Sequence, residues 1–101
     1  MKYFVIGDED AVLGFEMVGV RGLTVGNRAD AEHAFQTAIG DSEVGIIIMT
    51  ERIAELIRST VDKYIFSASF PLIVEIPDRR GKVEGKLSIR EMVNAAIGIK
   101  L

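Results

Sequence analysis

Four short apolar runs, separated by helical patterns, constrain the fold more than any other feature of this sequence. They are rich in β-branched residues and lie at Tyr3–Ile6, Leu23–Val25, Val44–Met49 and Leu72–Ile76. All but the second are nearly continuous, which is typical of strands buried on both faces of a helix-covered parallel sheet. The alternation of runs and helices predicts an α/β domain with a four-stranded parallel sheet, strand order 2-1-3-4 and helices on both faces.

Two amphipathic helices are predicted between the later strands. The first follows Asn27, a favourable N-cap residue, and ends at Gly40. Its apolar residues recur at helical spacing, at Ala31, Ala34, Phe35, Ala38 and Ile39. The second follows Thr50, another favourable N-cap, and its apolar face continues as one helix from Ile53 to Tyr64.

The segment between the first two strands has an unusual composition for a surface helix. Between Asp10 and Val20, Glu16 is the only polar side chain, so apolar residues surround the whole helix. Two interpretations stay open: neighbouring loops bury the helix within the monomer, or part of it faces another protein. On the second, Leu13 and Met17 are the expected contact residues. Gly14 is expected to mark close packing against a strand.

The composition changes beyond Ile76, which divides the chain into three predicted parts. Residues 1–77 form the globular domain, residues 78–87 a charged flexible linker, and residues 88–101 an amphipathic C-terminal helix. The linker contains Arg79, Arg80, Gly81, Lys82 and Gly85. Ser88 and Glu91 form a capping box, and the apolar stripe comprises Ile89, Met92, Val93, Ala96 and Ile97. A helix this short is marginal alone, so we expect it to require a surface.

Composition excludes several classes of function. The 101 residues carry a net charge of -3, which disfavours nucleic-acid binding through bulk charge. Cysteine is absent and His33 is the single histidine, so disulfides, thiolate zinc sites and multi-histidine metal sites are excluded. No targeting segment or membrane span is evident, so we expect membrane association only through a partner.

No set of catalytic residues emerges from the predicted Rossmann-like arrangement. The acidic run Asp8–Asp10 could bind Mg²⁺, but capping of the following helix is the favoured interpretation. The third strand ends in Thr50, where a response-regulator receiver has its phospho-accepting aspartate. Gly7 and Gly14 do not form a dinucleotide-binding G-x-G-x-x-G motif, and His33 lies off its helix's apolar stripe. We therefore expect no cofactor and an interaction or regulatory protein rather than an enzyme.

Four segments of the chain resemble one known family, in the same order and over the whole length. They are Gly7–Asp10 with Val12–Phe15 and Gly19–Val20, Thr50–Ala54 after the third strand, Phe70–Pro77, and Leu87–Leu101 with its Ala96–Ile99 run. These residues resemble the F subunit of the archaeal and bacterial V-type (A-type) ATP synthases. The second strand, Gly22–Val25, carries no family signature.

The resemblance implies a non-catalytic component of the central rotor stalk, on the cytoplasmic side of the membrane. Members of this family bind the coiled-coil D subunit beneath a hexamer of A and B subunits, and their C-terminal helix is mobile and regulatory. For such partners, the residues expected from the apolar patterns are Leu13 and Met17 of the first helix, and Ile89, Met92, Val93 and Ile97 of the C-terminal stripe. Two alternatives stay open: a receiver-like signalling module without the phospho-accepting aspartate, and a small nucleotide-binding α/β protein.

Overall fold

The computed structural model describes residues 2–67 and 70–78. The four strands are β1 (Lys2–Gly7), β2 (Arg21–Thr24), β3 (Val44–Thr50) and β4 (Leu72–Ile76). The four helices are α1 (Glu9–Glu16), α2 (Arg28–Gly40), α3 (Glu51–Leu56) and α4 (Arg58–Ser67). The rest of the predicted linker beyond Asp78, and the predicted C-terminal helix, lie outside the described residues.

The strands form one sheet in the order β2-β1-β3-β4, and every neighbouring pair is parallel. This confirms the predicted topology. In the register of the sheet, Tyr3 lies beside Ile46, and Ile46 lies beside Leu72. Because side chains alternate between the faces of a strand, these three residues share one face.

Three helices cover the first face of the sheet, where most of the core lies. Helices α2, α3 and α4 pack here, and Phe35 and Ile57 are almost completely buried. The rings of Phe35 and Tyr64 meet edge to face, with centroids 5.8 Å apart. The other large buried side chains of this cluster include Ile6, Val44, Ile47, Met49 and Val61.

The second face of the sheet is covered by α1 alone among the described elements. Its buried cluster contains only Val5, Val12 and Ile48, with Phe15 and Ile76 partly buried against it. This imbalance follows from the strand order. The β1-to-β2 crossover runs in one direction along the sheet and the next two run in the other, so right-handed connections place one crossover on this face and two on the opposite face.

The helical segment after β3 differs from the prediction of one continuous helix. Ile57 has φ −128° and ψ 37°, which separates α3 from α4. Its amide donates to the Ala54 carbonyl, and its own carbonyl accepts from Val61, so Ile57 closes one helix and opens the next. The break lets both Ile57 and Val61 bury their side chains against the sheet.

The Thr50 N-cap is also different from the prediction. Thr50 has the extended backbone of an N-cap residue, but its side chain makes no capping hydrogen bond. The hydroxyl oxygen is buried and has no hydrogen-bond partner among the described residues. A Cβ on Gly7 would lie 2.9 Å from the Thr50 methyl carbon, so the threonine side chain packs closely against β1.

Strand β2 depends on a glycine at its contact with β1. A Cβ on Gly22 would overlap both the side chain and the carbonyl oxygen of Val5. Gly22 therefore permits the close approach of this short edge strand.

Candidate functional site

Helix α1 begins with a side-chain cap. Asp8 has an extended backbone, and its Oδ1 accepts a hydrogen bond from the Ala11 amide at 3.1 Å. Glu9 and Asp10 occupy the first turn, where acidic side chains favourably complement the helix dipole. The capping interpretation of the acidic run is thus confirmed. In residues 2–67 and 70–78, no three His, Asp or Glu side chains cluster as metal ligands.

The outer side of α1 presents apolar side chains to solvent. Leu13 is 55% exposed, Met17 80% and Val18 77%. Of the residues within α1, only Val12 is buried. Within the described residues, neighbouring loops therefore do not bury this helix, contrary to the first interpretation. We call Leu13, Met17 and Val18 the α1 patch.

A glycine turn positions two residues of the α1 patch. Gly19 has φ +91°, a left-handed conformation that favours glycine. The Gly19 amide donates to the Glu16 carbonyl and the Val20 amide to the Phe15 carbonyl, each at 3.0 Å. These bonds end the helix compactly and leave Met17 and Val18 projecting beside the turn. Val18 is not among the contact residues expected from the sequence, although it lies in the same apolar segment as Leu13 and Met17.

Gly14 does not mark close packing against a strand, contrary to the sequence-based expectation. A Cβ at this position would meet no atom of the described residues within 4 Å. Gly14 instead lines an open apolar groove of about 370 Å³ between α1 and the end of β4. Phe15 and Val18 line its α1 side, and Ile76 lines its β4 side.

A second apolar surface lies on the part of the sheet that α1 leaves uncovered. Tyr3 is 50% exposed and Leu72 57%, and they flank the half-buried Ile46 in one row. Val74, in the next row of the same face, is 36% exposed. We call these four residues the open face. Within the described residues, β1 and β4 are therefore not buried on both faces as predicted, and the strand order could have indicated this.

One ion-pair cluster, centred on Arg58, holds β4 in place from the other side. Arg58, the first residue of α4, lies 2.6 Å from Glu75 and also pairs with Glu55 and Asp62. The Glu75 carboxylate raises the pKa of Arg58 above its ordinary value, with further contributions from the other two carboxylates and opposition from burial. These contacts connect α3, α4 and β4, which indicates a structural role.

The position where the chain leaves β4 is fixed by a further ion pair. Arg52 of α3 lies 3.0 Å from Asp78, whose side chain is only 1% exposed. Asp78, the first residue of the predicted linker, therefore contacts the domain directly. It also lines the groove beside α1.

The structure also gives the positions of two residues that the sequence analysis considered, Thr50 and His33. Thr50 ends β3 and its buried side chain packs against β1, so the receiver acceptor position holds no aspartate. His33 is exposed on α2, as predicted, and its carbonyl accepts a hydrogen bond from Thr37. Within the described part of the chain, no helix has the length and apolarity needed to cross a membrane.

Comparisons with known proteins agree on one family. Residues 4–93 match the family model described as ATP synthase (F/14-kDa) subunit. The F subunit of the A-type ATP synthase from Thermococcus sibiricus is 34% identical, with all of this chain and 98% of that protein covered. The corresponding F subunit from Methanothermobacter thermautotrophicus is 35% identical, with 96% and 92% covered.

A solved structure has the same fold. The F subunit of the V-type ATP synthase from Archaeoglobus fulgidus superposes with a TM-score of 0.59 and is 21% identical in sequence. The match covers 74% of this chain and 95% of that one.

Proposed function

Because the chain belongs to the family of F subunits of A-type and V-type ATP synthases, we propose that it is a non-catalytic component of the central rotor stalk. In this role it binds the coiled-coil D subunit and helps couple ATP synthesis or hydrolysis to ion transport. It lies on the cytoplasmic side of the membrane and reaches the membrane only through the complex. It binds no nucleic acid.

The α1 patch is the observation that supports a protein partner. Leu13 in α1, and Met17 and Val18 in the turn directly after it, are all more than half exposed. Clustered large apolar side chains at the surface mark interaction sites more often than isolated ones do. A coiled coil presents apolar and polar stripes along its length, and an exposed helix can pack against such a surface by ridge-into-groove contacts.

Residues 88–101 supply the regulatory part of the proposal. Their apolar stripe, which includes Ile89, Met92, Val93 and Ile97, needs a surface to pack on. In the assembled enzyme the stalk or the A and B subunits offer one such surface, and the domain itself offers another. The helix can exchange between these surfaces, and the fraction bound to each depends on the difference in free energy between the two sets of contacts. This exchange requires no chemical reaction in the protein.

The proposed stalk contact is tested by Met17→Glu. Full burial of a methionine side chain contributes about 1.5–3 kcal/mol, so its loss should weaken binding to the D subunit about 10- to 100-fold. Phe66→Glu is the matched control, because Phe66 is 87% exposed at the end of α4, away from α1. Affinity is measured by titration calorimetry, and circular dichroism verifies that both variants fold. Equal affinity of the Met17 variant and wild type contradicts the proposed contact.

A further inference from the structure

Gly14 is a glycine that the described part of its own domain does not require. It lies in the interior of α1, where glycine destabilises a helix relative to alanine because it loses more conformational freedom on folding. Gly19, and not Gly14, has the positive φ that favours glycine. A Cβ on Gly14 would meet no atom of the described residues within 4 Å. Neither backbone conformation nor close packing in this part of the chain therefore explains the glycine.

Glu16 is a second residue that disfavours its own helix. It is the last residue of α1, where the helix dipole favours a basic side chain, and the last turn carries none. Glu16 is exposed, and none of the ion pairs in residues 2–67 and 70–78 includes it. Residues that folding alone would not favour are typical of functional sites, where binding requires them.

Gly14 lies in an opening on the outer surface of α1. Asp10, Leu13, Gly14 and Met17 occupy positions i, i+3, i+4 and i+7, which together surround an inserted side chain in knobs-into-holes packing. Met17 directly follows α1 and keeps a helical backbone. We call these four residues the Gly14 opening. Because Gly14 has no side chain, a large apolar side chain from a facing helix can enter deeply, and the groove beside α1 continues from Gly14 and leaves room for its end.

The charge of α1 indicates which kind of helix fits this opening. The helix carries three acidic side chains, Glu9, Asp10 and Glu16, and no basic one. Glu9 and Glu16 are seven positions apart, so they lie two turns apart along one flank of Leu13. A partner with lysine or arginine beside its apolar stripe is attracted to this flank, whereas an acidic partner is repelled. A second copy of this chain would bring an acidic helix against an identical acidic helix.

We infer that the Gly14 opening receives one large apolar side chain from a helix of the partner, and that lysine or arginine beside this side chain pairs with Glu16 and Glu9. This inference names the chemistry that the α1 patch recognises and rests on the proposed function, in which the partner is the coiled-coil D subunit. Leu13 and Met17 form the walls of the opening, so they contact the same partner helix. Binding then compensates for the stability that Gly14 and Glu16 cost the isolated domain.

Substitution of Gly14 separates this contact from a structural role, because affinity and stability should change in opposite directions. Gly14→Leu fills the opening with a residue that favours a helix, so Tm should rise while the affinity for the D subunit falls about 10- to 100-fold. Titration calorimetry and thermal unfolding of the full chain measure the two quantities. Equal affinity of this variant and wild type would overturn the inference.

Gly40→Leu is the matched control for this substitution. Gly40 is also a helix residue, and a Cβ on it would likewise meet no atom of the described residues within 4 Å. It lies on α2, which packs on the opposite face of the sheet from α1. Gly40→Leu should therefore leave the affinity for the D subunit unchanged, and an equal loss in both glycine variants contradicts a contact at Gly14.

The charged part of the contact is tested by Glu16→Gln. Neutralisation removes an acidic group from the negative end of the helix dipole, so Tm should not fall. Affinity for the D subunit should decrease about 2- to 5-fold at about 0.1 M NaCl, and the decrease should disappear at about 1 M NaCl. Gln36→Lys changes the net charge by the same amount at an exposed position of α2 and should leave the affinity unchanged. Equal decreases in the two variants contradict the inferred pair.

The remaining outcomes distinguish this inference from the proposed function. No binding of the D subunit by wild type would contradict the proposed function itself. Weaker binding by Met17→Glu together with unchanged binding by Gly14→Leu would leave the stalk contact standing and overturn the inference alone. Tighter binding by Gly14→Leu would mean that residues of the same chain compete for the opening. A wild-type dimer that Gly14→Leu dissociates would mean that a second copy occupies it, and either result overturns the inference.

Discussion

Replacement of Arg58 by methionine tests how the ion-pair cluster stabilises the domain. The guanidinium donates to both carboxylate oxygens of Glu75, at 2.6 and 2.8 Å, in a two-pronged geometry. It also contacts Glu55 at 2.8 Å and Asp62 at 3.1 Å. Methionine keeps an unbranched apolar stem but removes every one of these donors.

The expected loss follows from the number and burial of these contacts. Hydrogen bonds to charged groups contribute about 1.5–3 kcal/mol each when buried. Arg58 and Glu75 are 27% and 18% exposed, so water screens part of that contribution, and the contacts to the more exposed Glu55 and Asp62 contribute little. We expect Arg58→Met to lower the free energy of unfolding by about 2 kcal/mol, which corresponds to about 8–16 °C in Tm for a chain of this size.

A double-mutant cycle isolates the contact with β4. Arg58→Met, Glu75→Gln and the double variant are compared by urea unfolding, with a coupling energy of about 1–2 kcal/mol expected. Lys63→Met on the same helix is the control, because Lys63 is exposed and its change should be nearly neutral. A coupling below about 0.5 kcal/mol, or equal losses for Arg58→Met and Lys63→Met, would refute the reasoning.

Two further predictions concern two glycines, one at the contact between β1 and β2 and one in α1, and the dependence of the free energy of unfolding on pH in the acid range. Gly22→Ala should cost about 1–3 kcal/mol, because its Cβ would overlap β1, whereas Gly14→Ala, in open space on a helix, should gain about 0.5–1 kcal/mol; thermal unfolding of both variants distinguishes the signs. The Glu43 amide, and then Lys2, lower the pKa of Asp41 from 3.8. The contribution of this carboxylate is therefore present above pH 3.8 and is lost as the pH falls through the lower folded-state value. The difference in urea midpoint between wild type and Asp41→Asn should narrow below pH 3.8, and a difference that widens there would contradict this sign.

The sequence alone determined the strand order and the side-chain caps of α1 and α2, because these follow from patterns along the chain. Apolar runs alternating with helical periods leave few topologies once crossovers are right-handed. Asp8 and Asn27 cap their helices through residues three positions away, as the sequence indicated. The exposed position of His33 likewise followed from its place on one helix.

Tertiary structure decided where the surfaces lie and how the later helices are divided. The break at Ile57 depends on fitting two buried side chains to a twisted sheet, and Arg58 reaches Glu75 across 17 positions. Arg52 and Asp78 are 26 positions apart. Exposure of Leu13, Met17 and Leu72 depends on which neighbours cover each face. A local segment of sequence does not indicate which neighbour covers its apolar side chains. Their spacing is the same whether a helix of the same chain or another protein covers them.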